Sequence, residues 1–325
     1  MKPPRILIIA GSDSGGGAGI QADIKTVTML GGHAMTAITA ITAQNTLGVQ
    51  AVHPVPTAMV IAQMDSVIAD IGVDAVKIGM IGSAATAHAV ADFLASSFPR
   101  RRESISDVAD GGEVGEMDSR LRGNDEGRDI PIVFDPVMVA TSGSALADAE
   151  TVAAFERLMA VATMITPNVP ELETLLGRSI TSVDALESAA VTLMVRHGCS
   201  VMAKGGHLPD QPDDDEATVH DLLVTPGGVY EHLFPRLDTR HSHGTGCTLA
   251  SAIATGLGAG LDEDDAVDRA EAFLHRALAV APGLGKGHGP IGHALGQVPF
   301  YSILAQTDEE GWDAKAFAAR WPSHA

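Results

Sequence analysis

Apolar positions fall in short blocks along the chain, and the spacing within the blocks alternates between two kinds. Residues 5–10, Arg-Ile-Leu-Ile-Ile-Ala, form a continuous apolar run, the pattern of a parallel strand covered on both faces. Similar runs recur at 75–78, 132–138, 163–166 and 200–203. Residues 33–43 carry β-branched side chains at Thr36, Ile38, Thr39, Ile41 and Thr42, which also favours a strand. Between these runs the spacing becomes helical. At 56–71, Val60, Met64, Val67, Ile68 and Ile71 return every three or four residues and mark one face of a helix. Helices are also predicted at 20–30, 84–98, 147–160, 183–197 and 262–281, and through the small apolar residues 250–260. Residues 219–224 and 229–233, joined by Thr225-Pro226-Gly227-Gly228, read as an antiparallel hairpin.

Strands alternating with helices imply an α/β fold, with a mostly parallel sheet between two layers of helices. In such sheets the chemistry gathers beyond the carboxyl ends of the strands. Ser12, Asp13, Gln44, Met80, Asp135, Asn168 with Glu171, and Lys204 each come just after a predicted strand, so one edge collects them all. Taken singly, an Asp there is an ordinary turn residue and a Lys an ordinary surface charge. Their shared position is what points to a site.

Residues 100–129 interrupt the alternation with Arg, Asp, Glu, Gly and Ser and almost no apolar periodicity. Such a composition buries too little surface to offset the entropy of ordering, so the segment is expected to be a flexible, low-complexity insertion. The expected organisation is one domain over 1–295, followed by a tail at 296–325 that is helical in part and contains Phe317 and both tryptophans, Trp312 and Trp321.

Two glycine-rich stretches carry candidate chemistry. Residues 11–19 join a strand to a helix, but their glycines fit neither the phosphate-loop nor the dinucleotide spacing. That loop is expected to lie against a small substrate. The second stretch, His243-Gly244-Thr245-Gly246-Cys247, precedes the helix of small residues. The first turn of a helix leaves N–H groups unpaired at the positive end of the dipole, which makes a pocket for an anion such as a phosphoryl group. Cys247 stands at its mouth, where a helix N-terminus lowers a thiol's pKa, and a thiolate there is expected to act as a base on an attacking hydroxyl. The plain alternative is a tight turn followed by a small core cysteine.

Composition narrows the class. The chain has 325 residues, 45% of them hydrophobic, and a formal net charge of −20. That charge argues against a general nucleic-acid or anionic-membrane surface. Cys199 and Cys247 make no disulfide framework and have no metal-ligand spacing. The first apolar run is too short for a signal-peptide core, and no run approaches the ~20 residues of a membrane span. A soluble, reduced, cytoplasmic protein is expected.

The motifs taken together resemble a known family. They are Ala10-Gly11-Ser12-Asp13 with 16–23, Ala43-Gln44-Asn45-Thr46, Lys77-Ile78-Gly79-Met80, Asp135-Pro136-Val137-Met138, 166–171, Lys204-Gly205-Gly206-His207 and the 243–247 stretch. In order and spacing, over about 5–99 and 130–293, they are similar to the bacterial hydroxymethylpyrimidine/phosphomethylpyrimidine kinases of thiamine biosynthesis. These belong to the ribokinase-like superfamily, so the resemblance implies a ribokinase-like three-layer fold. It also implies two ATP-dependent phosphorylations at one site, from 4-amino-5-hydroxymethyl-2-methylpyrimidine to the monophosphate and then the diphosphate. On that resemblance Gly11, Asp23, Gln44, Met80 and Val137 surround the pyrimidine. Asp135, Asn168 and Glu171 serve Mg²⁺, largely through water, and Lys204 meets the ATP phosphates. The amides of Gly244, Gly246 and Cys247 hold the transferring group, and the family suggests a homodimer. Because some pyridoxal kinases share the Cys, a pyridoxal or pyridoxine kinase is the alternative. A non-catalytic binder of thiamine precursors fits less well, since Lys204, Glu171 and Cys247 are all intact. Gly15 stands where many members have Ser.

Overall fold

A computed structural model describes residues 2–98, 129–140, 143–144, 146–209 and 217–295. Nearly all of the expected insertion and the expected helical tail, with Trp312 and Trp321, lie outside the described residues. Residues 1–293 group into one compact unit and 294–325 into another; of the second only 294 and 295 are described.

The strands are β1 (Arg5–Asp13), β2 (His33–Asn45), β3 (Gly48–Pro54), β4 (Ala75–Ile78), β5 (Ile132–Phe134), β6 (Met164–Ile165), β7 (Ser200–Ala203), β8 (Thr218–Thr225) and β9 (Gly228–Pro235). The helices are α1 (Gly19–Met29), α2 (Thr57–Asp70), α3 (Ala84–Ser97), α4 (Ala149–Val161), α5 (Val169–Leu176), α6 (Val183–His197), α7 (Thr245–Gly258) and α8 (Glu263–Ala279). The strands form a single sheet in the order β3-β2-β1-β4-β5-β6-β7-β8-β9. From β2 to β7 neighbours are parallel, while β3, β8 and β9 add antiparallel edges.

Strand periodicity divides β1 between two cores. Leu7 and Ile9 pack with residues of α2 to α6 on one face; Ile6, Ile8 and Ala10 pack with α1, α7 and α8 on the other. Because both faces are covered, β1 reads as an unbroken apolar run. Each large side chain buried this way contributes roughly 1.5–3 kcal/mol. The chain leaves β1 toward β2 and β3 on one side, then returns to add β4 on the other. That reversal opens a crevice at the strand ends, and the polar residues that follow the strands stand around it.

Two elements depart from the sequence reading. The edge strand β3 is exposed along nearly its whole length and carries no amphipathic signal. The short helix α5 has Pro in its first turn and an Asn168–Glu171 capping box. An Asn followed three residues later by Glu, ahead of apolar Leu172, Leu175 and Leu176, is a helix-start pattern.

Candidate active site

The crevice is shaped first by Asp13. A register shift between Ala10 and Ser12 breaks the regular pairing of β1 with β2. Such irregularities re-aim a strand end. The buried Asp13 carboxylate accepts from the backbone N–H groups of Gly15 (2.7 Å), Gly17 (3.0 Å) and Ala18 (2.8 Å), folding the glycine loop onto itself. His243 Nε2 approaches from the other side at 2.9 Å. Burial pushes the Asp13 pKa up, but the hydrogen bonds from His243, Ala18 and Gly15 outweigh it and hold the group ionised.

The anion cradle follows from the start of α7. Gly244 takes a left-handed conformation (φ 90°), and a Cβ there would run into the carbonyl of Gly17. Only glycine meets both demands. A Cβ on Gly246 would stand 3.2 Å from Lys204 Nζ and 3.4 Å from Asp135 Oδ2, so the first turn of the helix faces both side chains. Lys204 Nζ lies 2.9 Å from Asp135 Oδ1 and 3.9 Å from Glu171 Oε2. Thr166 Oγ1 also donates to Asp135 Oδ1, at 3.1 Å. Burial works against the Lys204 charge, yet Asp135 and then Glu171 overcome it and raise its pKa. Burial pushes Glu171 up to about 7, although Lys204 opposes the shift.

These parts line one cavity of about 630 Å³. Gly11, Gln44, Met80 and Val137 line it at the ends of β1, β2, β4 and β5, as expected for substrate contacts. Asp135, Lys204, Gly244, Gly246 and Cys247 line its middle, and Phe234, Leu274 and Leu278 line it beside β9 and α8. Asn168 and Glu171 also reach it.

Two expectations need correction. Asp23 does not face a substrate: it has no exposed surface, and both its carboxylate oxygens bind Lys77 Nζ at 3.0 Å. Ser251 Oγ donates to the same carboxylate at 2.7 Å, so Asp23 ties α1, β4 and α7 together beneath the cavity. The Cys247 thiol is not lowered. Burial pushes it up to about 11; Lys77 pulls it down, but Asp23 and Asp135 push further up. The helix terminus is outweighed by desolvation and two carboxylates. Asn168 and Glu171, expected to serve Mg²⁺ largely through water, also hydrogen-bond to each other. Asn168 Oδ1 accepts from Glu171 N at 2.9 Å and Glu171 Oε2 from Asn168 N at 2.8 Å, which caps α5. Among the described residues no three His, Cys, Asp or Glu side chains converge as metal ligands. The set fits Mg²⁺ only through water and nucleotide phosphate, the manner this reluctantly dehydrated ion favours.

Lys77 and His243 escaped the sequence reading. A charge inside the apolar run Ala75-Val76-Lys77-Ile78 was itself a signal, because a fully buried lysine requires a partner. His243 was legible only as a motif letter; its contact with Asp13 spans 230 residues.

The phosphomethylpyrimidine kinase family model matches residues 13–107 and 121–292. The chain is 44% identical over 292 residues to the hydroxymethylpyrimidine/phosphomethylpyrimidine kinase of Rhizobium meliloti, covering 88% of this chain and 96% of that protein. It is 41% identical over 291 residues to the thiamine biosynthesis bifunctional protein ThiED of Geobacter sulfurreducens, covering 89% of this chain but only 52% of that one. The fold is similar to a pyridoxal kinase from Staphylococcus aureus solved with AMP-PCP and pyridoxal, with TM-score 0.71 and 26% identity, covering 92% of this chain and 96% of that one.

Proposed function

The chain belongs to the phosphomethylpyrimidine kinase family, and from that premise we propose how its cavity carries out the reaction. The protein is a phosphotransferase of thiamine biosynthesis, phosphorylating hydroxymethylpyrimidine and then phosphomethylpyrimidine with ATP. The observation that carries the mechanism is the convergence of Lys204, Asp135 and the first turn of α7 on one cavity. There the substrate oxygen attacks the γ-phosphorus, the bond to the β-phosphate oxygen breaks, and ADP leaves. Charge on the transferring group meets the N–H groups of Gly244, Gly246 and Cys247 and the Lys204 ammonium, aligned before the reaction begins. Cys247 takes the proton of the attacking hydroxyl. Its raised pKa makes the thiolate scarce in the free protein, so alignment and charge stabilisation carry most of the rate.

Mg²⁺, when bound with the nucleotide, would neutralise phosphate charge, with Asp135 and Glu171 reaching it through water. Gly11, Gln44, Met80 and Val137 hold the pyrimidine; Asp23 supports them from below. We further propose a homodimer in the cytoplasm. The exposed apolar side chains Ile41 (52%), Leu47 (65%) and Val52 (44%) on the β2–β3 ribbon support self-association. Two cysteines without a disulfide suit a reducing compartment, and no described helix is long and apolar enough to cross a membrane.

The likeness to the Staphylococcus aureus enzyme favours one second reading, phosphorylation of pyridoxal. Incubating the purified protein with Mg²⁺-ATP and either alcohol distinguishes them. ADP release with the pyrimidine and little with pyridoxal is expected; turnover of pyridoxal alone would overturn the assignment.

A further inference from the structure

His243 stands one residue before the cradle, nearly buried in the cavity wall. Its Nε2 lies 2.9 Å from Asp13 Oδ2 and 3.4 Å from Gln44 Nε2. Three backbone N–H groups already donate to Asp13, so the carboxylate is ionised and can only accept. The proton between the two residues therefore sits on His243 Nε2, whatever the charge of the ring. At the other end of the Gln44 amide, Oε1 lies 3.2 Å from Thr42 Oγ1. That hydroxyl already has the carbonyl of Ser12 as acceptor, at 2.9 Å.

In this orientation the amide faces like with like. Its N–H groups oppose the N–H of His243, and its oxygen opposes a hydroxyl oxygen whose hydrogen is committed. A half-turn about χ3 converts both contacts into donor–acceptor pairs: Gln44 Nε2 donates to Thr42 Oγ1, and His243 Nε2 shares its proton with Gln44 Oε1. Amide oxygen and nitrogen are told apart by such partners.

We propose that His243 determines substrate specificity by pinning the Gln44 amide, carbonyl toward itself and amino group toward Thr42, with Asp13 anchoring the imidazole. This deepens the kinase assignment of the same cavity and rests on it. So held, Gln44 has one N–H and one carbonyl lone pair left for a ligand. They complement a ring nitrogen beside an exocyclic amino group, as in an aminopyrimidine. Without His243 the amide turns freely, and each orientation is available to ligands of either pattern.

Steady-state kinetics on the wild type, His243→Phe, Gln44→Leu and the double variant test this. His243→Phe keeps a flat ring but loses the donor. Its KM for hydroxymethylpyrimidine should rise roughly tenfold, the value of one hydrogen bond. Its KM for ATP and its kcat should stay near wild type, and its preference over pyridoxal should narrow. In the Gln44→Leu background the same change should add nothing, because the residue it acts through is gone. His243→Gln, whose Nε2 stands near the lost donor, should restore the wild-type KM. An equal rise in both backgrounds, or a glutamine variant as poor as the phenylalanine one, would overturn the proposal. Should His243→Phe prove insoluble, His243→Met carries the same comparison. Failure of the kinase assignment would look different: the wild type itself would leave the pyrimidine alcohol unphosphorylated.

Discussion

Replacing Cys247 by serine asks how much of the reaction a scarce thiolate supports. An ordinary thiol titrates near 9.0, but burial with Asp23 and Asp135 nearby holds this one near 11. At pH 8 the free protein then carries about one thiolate per thousand molecules, against about one in ten for an unshifted thiol. Because kcat/KM reports the ionisation of the free enzyme, it should climb about tenfold per pH unit between 8 and 10 if this thiolate is the base. Glu171, near 7, is already ionised across that range. Serine does not ionise there, so Cys247→Ser should lower turnover by roughly 10²–10⁴-fold and flatten the slope. Cys247→Asp should retain part of the activity, since a carboxylate can accept the proton. ADP release is followed in a coupled assay over a range of substrate concentrations, which gives both kcat/KM and kcat, in buffers from pH 7 to 10. A serine variant within a few-fold of wild type, with the same slope, would reduce Cys247 to a packing residue and leave catalysis to the amides and Lys204.

The buried Lys77–Asp23 pair gives a stability prediction. Lys77→Met strands a charge and should cost about 3–5 kcal/mol in urea unfolding, while adding Asp23→Leu should recover most of it; equal losses would refute a paired role. Glu271 is buried beside Asp221, and burial with that neighbour pushes it up to about 10, from an ordinary value of 4.5. A carboxyl raised in the folded state favours folding while protonated. Its contribution is full below the unfolded value and is lost as pH rises toward 10. Melting temperature should therefore fall over that window, and Glu271→Gln should make the fall shallower; an unchanged slope would point to other groups. The family match is interrupted at 108–120, and excising those residues should leave solubility and turnover near wild type, because closure entropy varies slowly with loop length.

Much of the architecture was legible in the sequence because its causes are local. The apolar run of β1 and the helical spacing of α2 each act within a few neighbours. The gathering of Gln44, Met80, Asp135 and Lys204 also followed from topology, since parallel strands bring their carboxyl ends to one edge. What each side chain does there depended on partners far along the chain. Asp23 carries the same carboxylate whether it meets a ligand or a lysine, and only the packing of α1 and α7 over the sheet buries it against Lys77. A helix start lowers a thiol in isolation, yet folding brings two carboxylates and low-dielectric surroundings to Cys247 that reverse the sign. Glu171 reads as a metal residue or a cap from the same letters, and its 2.8 Å bond to Asn168 N shows that it caps α5. The chain by itself determined most of the elements and their order. Long-range contact decided burial, charge state and hydrogen-bond direction, because these depend on what the rest of the fold places within a few ångströms.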